Sequence, residues 1–271
     1  MTEAVTALVP RFRRAYPGAM AWMTSSRLAL GAAIAIAAHI AWGGTALAEQ
    51  RPAVVELFTS QGCSDCPPAD AFLGDLAQRK DVIALAYHID YWDRLGWKDV
   101  FSSHEATLRQ YAYSRAMNLD GVYTPEMVID GQIDAIGSRR DEVMAKLKAT
   151  PHDGVPITLT REGHDIVIRI GMNSAAQVTK TAASDAKAGD VVVVAYSDAA
   201  ETQVPRGENA GQTLREFNIV RGFWSVGAWN GSAQELRFDA GKLPQGATRL
   251  AVLVQAPGPG AILGATAQTI P

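Results

Sequence analysis

The chain has 271 residues, 48% hydrophobic and 20% charged, an ordinary globular composition with enough apolar material for one or two cores. Its formal net charge is −3, which gives no electrostatic reason to expect nucleic acid or an anionic membrane as a partner. Only two cysteines are present, Cys63 and Cys66, so any thiol chemistry must come from that one pair.

The segment 1–48 reads as a secretory signal peptide. Leu28 to Ala41 is nearly free of polar residues, Arg27 precedes it, and Ala46-Leu47-Ala48 forms a small-x-small exit. The apolar run is short for a membrane helix, which needs about 20 residues. Met23 offers a second start that would make the positive flank compact. Cleavage after Ala48 removes four Arg and one Glu and leaves a more acidic chain, periplasmic or secreted, without stable membrane insertion. In that compartment a disulfide can persist.

From Val54 to about Thr150, strand-like and helix-like segments alternate. Val54 to Phe58 reads as a buried strand entering a loop. Pro67-Pro68 opens a helix whose apolar residues Phe72, Leu73, Leu76 and Ala77 share one face, because proline is tolerated in a first turn and nowhere deeper. Val82 to Tyr87 is a second strand. Ser103 to Asn118 is a second helix, capped by Ser102 or Ser103. Met127 to Ile129 is a third strand, Asp130-Gly131 a hairpin turn, Gln132 to Ile136 its return strand, and Arg139 to Ala149 a last helix. Strands separated by helices must run parallel, and the hairpin adds an antiparallel partner.

After Pro151-His152-Asp153-Gly154 the pattern changes. The runs 157–160, 165–170, 190–196, 213–220, 233–238 and 248–255 are short and β-rich, and no helix is convincing. They read as an antiparallel sandwich of roughly six to eight strands. Ala182 to Gly189 reads as a surface loop, and Trp224 and Trp229 as core residues.

Cys63-Ser64-Asp65-Cys66 stands at the end of a strand and the start of a helix. Spacing of three lets two thiols bridge, and a helix amino end favours a thiolate on the first cysteine. Asp65 should oppose that effect by raising the pKa of the attacking sulfur, which favours a reductant that needs a supply of electrons. Pro67 should keep Cys66 out of helical dihedrals and leave Cys63 outside the first turn. A four-residue ring contributes little to stability, which argues for reactivity over stapling and for an accessible Cys63 sulfur. His88 and Asp90 follow the second strand, at the end where parallel sheets place their sites. A copper or zinc site of Cys63, Cys66 and His88 is one reading, and a hydrogen-bonded loop histidine without any metal is the preferred one. Tyr91, Trp92 and Trp97 either wall the cysteines or pack a long loop onto the core.

The strand Val54–Phe58, the cysteine motif, the helix after it and Tyr123-Thr124-Pro125 before the third strand resemble thioredoxin. The resemblance implies a cis Thr124–Pro125 bond facing the cysteines, with Thr124 and Pro125 docking a substrate segment. It also implies an acid in the first strand as proton acceptor for the second cysteine; Glu56 is close to that place but one residue further from Cys63, and the alternative, a charge reaching the surface at a strand edge, is the preferred reading. Glu56-Leu-Phe-Thr-Ser-Gln-Gly-Cys-Ser-Asp-Cys-Pro-Pro-Ala-Asp70, His88-Ile-Asp-Tyr-Trp-Asp93, Leu95-Gly-Trp97 and Tyr123-Thr-Pro-Glu-Met-Val-Ile-Asp-Gly131 are more closely similar to a secreted thioredoxin-like family, domain of unknown function 1223. That resemblance implies a fold and no proven activity. The expected organisation is a signal peptide at 1–48, a thioredoxin-like α/β domain at 49–152 and a β-sandwich-like domain at 153–271. The leading expectation is a thiol–disulfide oxidoreductase acting through Cys63 and Cys66 on protein thiols or disulfides, without a cofactor. The alternatives are a non-catalytic binding or structural protein with a structural disulfide, and a metal-delivery protein.

Overall fold

A computed structural model describes residues 50–171 and 188–270. The expected signal peptide therefore lies outside the described residues, as does all but the end of the expected loop at 182–189. The elements run β1 (Ala53–Thr59), α1 (Pro67–Ala77), β2 (Val82–His88), α2 (His104–Ala116), β3 (Glu126–Ile129), β4 (Ile133–Ile136) and α3 (Arg140–Ala149). They continue with β5 (Ile157–Glu162), β6 (Asp165–Ile170), β7 (Gly189–Gln203), β8 (Thr213–Trp229), β9 (Gln234–Asp239), β10 (Arg249–Gln255) and β11 (Ile262–Thr269). Among the described residues no helix is long and apolar enough to cross a membrane.

β1 and β2 are buried along their whole length. That is the pattern of central parallel strands covered on both faces, and the two pair in parallel from Ala53↔Val82 to Thr59↔His88. β3 runs antiparallel to β1, and β4 to β3. Strand alternation sends Val55 and Leu57 to the face where α1 contributes Phe72, Leu73 and Leu76, and α3 contributes Val143 and Leu147. Val54 and Phe58 go to the other face, with Tyr87 and with Tyr113 of α2. Ser103 caps α2, its hydroxyl accepting from the Ala106 amide at 3.1 Å.

The expected boundary at 152/153 marks a change of element type and no break in the sheet. One eight-stranded sheet runs β11-β10-β7-β8-β2-β1-β3-β4 through both halves. Left alone, β2 would be a sheet edge with seven buried residues, and such an edge needs a partner. β8 supplies it, in parallel, at Ala86↔Ile219. Asn218, at φ 46°, donates from Nδ2 to the Ala84 carbonyl at 2.8 Å and extends that short ladder. A sandwich-like layer exists only locally: the three-stranded sheet β5-β6-β9 packs Ile166 and Ile168 on Val191, Val193, Leu250 and Val252. Trp229 is buried in this core, and Trp224 packs against it.

β7 and β8 are far longer than the apolar runs suggest, at 15 and 17 residues. In β7 the extension, residues 198–203, is exposed or half-buried, and in β8 it is residues 221–228, likewise exposed or half-buried and interrupted by Gly222 and Gly227, so the hydrophobic signal ends before the ladder does. The ladder of this hairpin runs on to Gln203↔Thr213. Its arm lies over α1: a Cβ placed on Gly74 would meet the Phe217 ring at 2.6 Å.

Candidate functional site around the cysteine corner

β1 ends at Thr59, and residues 60–66 turn the chain into α1. Cys63 and Cys66 form a disulfide with Cα atoms 5.4 Å apart. The Cys66 amide donates to the Cys63 carbonyl at 3.2 Å, which closes the turn. Cys66 takes helical dihedrals, φ −80° and ψ −37°, against the restriction expected from Pro67. Its carbonyl accepts from the amides of Ala69 and Asp70 at 2.8 and 3.1 Å, and these bonds hold the conformation. Pro67 and Pro68 occupy the first helical turn, where an absent N–H costs nothing, and Cys63 lies outside that turn.

Neither cysteine is open to solvent. Cys63 is 1% exposed and Cys66 0%, which corrects the expectation of an accessible attacking sulfur. Over the corner lies the connection between β7 and β8, about 145 residues away in sequence. Asn209 Nδ2 donates to the carbonyls of Gln61 and Cys63, both at 3.0 Å. Glu208 Oε2 accepts from the Ser64 amide at 3.2 Å and its hydroxyl at 2.8 Å. Ser64 and Asp65 themselves are exposed.

Behind the corner lies a buried polar cluster. Thr59 and His88 are paired positions at the carboxyl ends of β1 and β2. Asp70 stands one helical turn beyond Cys66 and is 7% exposed. Asp99 accepts from the Gln61 amide at 2.8 Å and pairs with His88 Nδ1 at 2.7 Å. Gln61 is the hub. Its Nε2 donates to Glu216 at 2.7 Å and Thr202 at 3.0 Å, and its Oε1 accepts from Trp97 Nε1 at 2.9 Å. His88 Nε2 is buried and finds no hydrogen-bond partner among the described residues, while the buried Thr59 hydroxyl faces the Asp70 carboxyl.

Burial pushes the Asp70 carboxyl up to about 7, with the His88 charge partly opposing it. Burial would lower His88, but the charge and hydrogen bond of Asp99, with Glu216 and Asp70, outweigh it and push His88 up to about 9. Burial would raise Asp99, yet His88 and the two backbone donors hold it below the usual carboxylate range. Burial also raises Glu216.

A family profile described as "Protein of unknown function (DUF1223)" matches residues 54–255. The chain belongs to the DUF1223 family. Protein AGR_C_4864 from Agrobacterium tumefaciens, solved by crystallography, is 33% identical with a TM-score of 0.66, covering 81% of this chain and 94% of that one. HBP35 of Porphyromonas gingivalis, at 12% identity and a TM-score of 0.56, shares the fold over 82% of this chain and 76% of its own. No curated protein matches the chain. The DUF1223 match spans the whole corner, from β1 through Cys63, Cys66, His88 and Asn209 to β10.

Among the site residues expected from sequence, this DUF1223 chain joins Thr124 through Trp92 to Gly62, the residue before Cys63. Trp92 lies against Gly62, where an added Cβ would sit 3.2 Å from Trp92 Cβ, and its Nε1 donates to Thr124 Oγ1 at 2.8 Å. The Thr124–Pro125 bond is cis. Trp97 reaches the corner through Gln61, whereas Tyr91 packs on the core below α2. Glu56 stands apart. It points to the α2 face, opposite the face that carries α1. There Arg109 grips it with two bonds of 2.7 and 3.0 Å, and the Tyr113 hydroxyl donates to it. A carboxylate so neutralised, on the wrong side of the sheet, is no proton acceptor for Cys66, and the role expected for Glu56 is withdrawn. Asp90 accepts from Thr107 Oγ1 at 2.6 Å and is not part of the cluster. His88 is committed to Asp99, and among the described residues no group of three or more His, Cys, Asp or Glu is arranged to hold a metal ion.

Sequence reasoning missed Asp70, Asp99 and Asn209. Asp70 carried a signal: four positions after Cys66 on a helix is the same face one turn on. Asn209 carried none, since only the long hairpin brings it to the corner.

Proposed function

We propose that the chain is a thioredoxin-like thiol–disulfide oxidoreductase of the periplasm or exterior, working through Cys63 and Cys66. The sheet order β2-β1-β3-β4, the cysteine corner before α1 and the cis proline before β3 support the thioredoxin-like reading. The export reading rests on residues 1–48. The observation that carries the function is the cluster of buried ionisable groups, Asp70, His88, Asp99 and Glu216, joined through Gln61 to the loop that holds the disulfide. Asp70, one helical turn from Cys66, is a buried acid pushed up to about 7 by its burial, and groups of this kind concentrate where protons move.

In the reduced protein the Cys63 thiolate attacks a substrate disulfide and forms a mixed disulfide, expelling the first substrate thiolate. Cys66 then gives its proton to the Asp70 carboxylate and attacks the Cys63 sulfur. The second substrate thiolate leaves, and both leaving thiolates take up protons. One substrate disulfide becomes two thiols while the two cysteines become the disulfide seen here. An external dithiol must restore the pair. Thr124 and Pro125, beside Trp92, would line the substrate's path.

The burial of Cys63 favours a second reading, a non-catalytic protein with a structural disulfide. Insulin reduction separates the two. Turnover lost in Cys63→Ser supports the oxidoreductase, and turnover indifferent to that change defeats it. A reduction potential below about −300 mV would favour the structural disulfide.

A further inference from the structure

We propose that residues 204–212, the tip of the β7–β8 hairpin, are a lid that must leave the cysteine corner before Cys63 can react. The inference concerns regulation of the site just proposed and rests on that reading for its biological meaning, though not for its test.

Polar contacts hold the tip to the corner. Asn209 satisfies the carbonyls of Gln61 and Cys63, and Glu208 satisfies both donors of Ser64. Gly207 rests on Trp97, where an added Cβ would lie 3.2 Å from Trp97 Cβ. Pro205, Arg206, Gly207, Glu208 and Ala210 are exposed, while Asn209 is 1% exposed. Val204, at the base of the tip, is fully buried and stays in place; the part that lifts, residues 205–211, does so by exchanging hydrogen bonds with water and bares little apolar surface of its own. That is the signature of a segment that opens locally, below the free energy of global unfolding. The tip is also internally braced: the Gly211 amide donates to the Val204 carbonyl at 2.7 Å, and the Val204 amide to the Gln212 carbonyl at 2.9 Å. It can therefore swing as a unit. One of the carbonyls that Asn209 occupies is that of Cys63 itself, a residue 1% exposed, so the closed tip sits on the backbone beside the sulfur and fills the polar surface any incoming chain would need.

The test is the rate at which a water-soluble trialkylphosphine reduces the Cys63–Cys66 disulfide of the folded protein. The phosphine is oxidised to its oxide with oxygen from water as the disulfide becomes two thiols, which are counted by maleimide mass shift. Asn209→Ala is expected to react about tenfold faster or more than the natural chain, and Glu208→Ala about threefold faster. Glu208 is exposed, so its variant folds even if Asn209→Ala does not, and it then decides alone. The natural rate should be nearly flat in urea below the unfolding transition. Ile166→Val, buried in β6 far from the corner, is the control for general destabilisation.

Natural rates in both lid variants would overturn the proposal. So would an acceleration in Ile166→Val that matches theirs at equal loss of thermal midpoint. Insulin turnover is followed in parallel. Faster phosphine reduction in a chain indifferent to Cys63→Ser leaves the lid and removes the oxidoreductase, and the reverse pattern does the opposite.

Discussion

Removing the cation beneath Glu56 should destabilise the fold without touching the thiol chemistry. Arg109 Nε and Nη2 hold Glu56 at 2.7 and 3.0 Å, and Nη2 also donates to the Tyr113 hydroxyl and to Gln255, each at 3.0 Å. The Glu56 side chain is fully buried and that of Arg109 is 8% exposed. Two unit charges about 4 Å apart attract by about 4 kcal/mol at an effective dielectric of 20. Arg109→Met keeps the stem and deletes the charge, stranding Glu56 in an apolar layer, so it should cost about 3–5 kcal/mol. For a chain of this size that lowers the thermal midpoint by roughly 6–20 °C. Glu56→Leu with Arg109→Met should recover most of the loss, because the stranded charge is gone. Urea unfolding followed by tryptophan fluorescence measures both, and the double-mutant cycle should show a coupling of several kcal/mol. A single-mutant cost below about 1 kcal/mol, or a double mutant no better than the single, would refute the reasoning. If the double mutant altered the pH profile of thiol exchange, Glu56 would regain the proton-acceptor role withdrawn above.

Stability should also fall as pH rises from about 4 to about 9. Between its ordinary value and about 7 Asp70 keeps in the fold a proton that the unfolded chain has lost, and His88 does the same between 6.5 and about 9. Each contribution is complete below the unfolded value and gone above the folded one, with a slope of about 1.4 kcal/mol per pH unit where one proton is at stake. Urea midpoints across this range check the sign; H88Q should flatten the alkaline part, while D70N should remove only its share of the acid part, because buried Glu126, pushed up to about 7, and Glu216, also raised by burial, contribute with the same sign. A slope of opposite sign would show that the cluster is not protonated as described. Gly74→Ala should destabilise by about 1–3 kcal/mol, although the same change in an exposed helix gains about 1 kcal/mol, because the new methyl meets the Phe217 ring. Phe217→Leu in that background should recover part of the loss, and thermal unfolding of the pair measures it.

Local chemistry in the chain was enough to place the corner. Pro67-Pro68 can only begin a helix, and Asp130-Gly131 can adopt the positive φ angles, 48° and 69°, that the β3–β4 hairpin needs. The same holds for β1 and β2, whose runs, apolar from Ala53 to Phe58 but for Glu56 and from Val82 to Tyr87, suit strands covered on both faces. β11 was illegible because its Gly-Ala-Thr-Ala-Gln-Thr stretch is small and polar, and it forms a strand by pairing with β10.

What the sequence determined by itself is therefore the pair of cysteines, the strand-to-helix turn that carries them and the proline before β3. These depend on dihedral and hydrogen-bond preferences acting over a few neighbouring residues. Tertiary structure alone decided that β8 would extend the sheet beside β2, that Arg109 would neutralise Glu56, and that Asn209 would close over Cys63. Each of those contacts joins residues more than 50 positions apart, and no periodicity or spacing within a window records a pairing that exists only once the sheet has assembled.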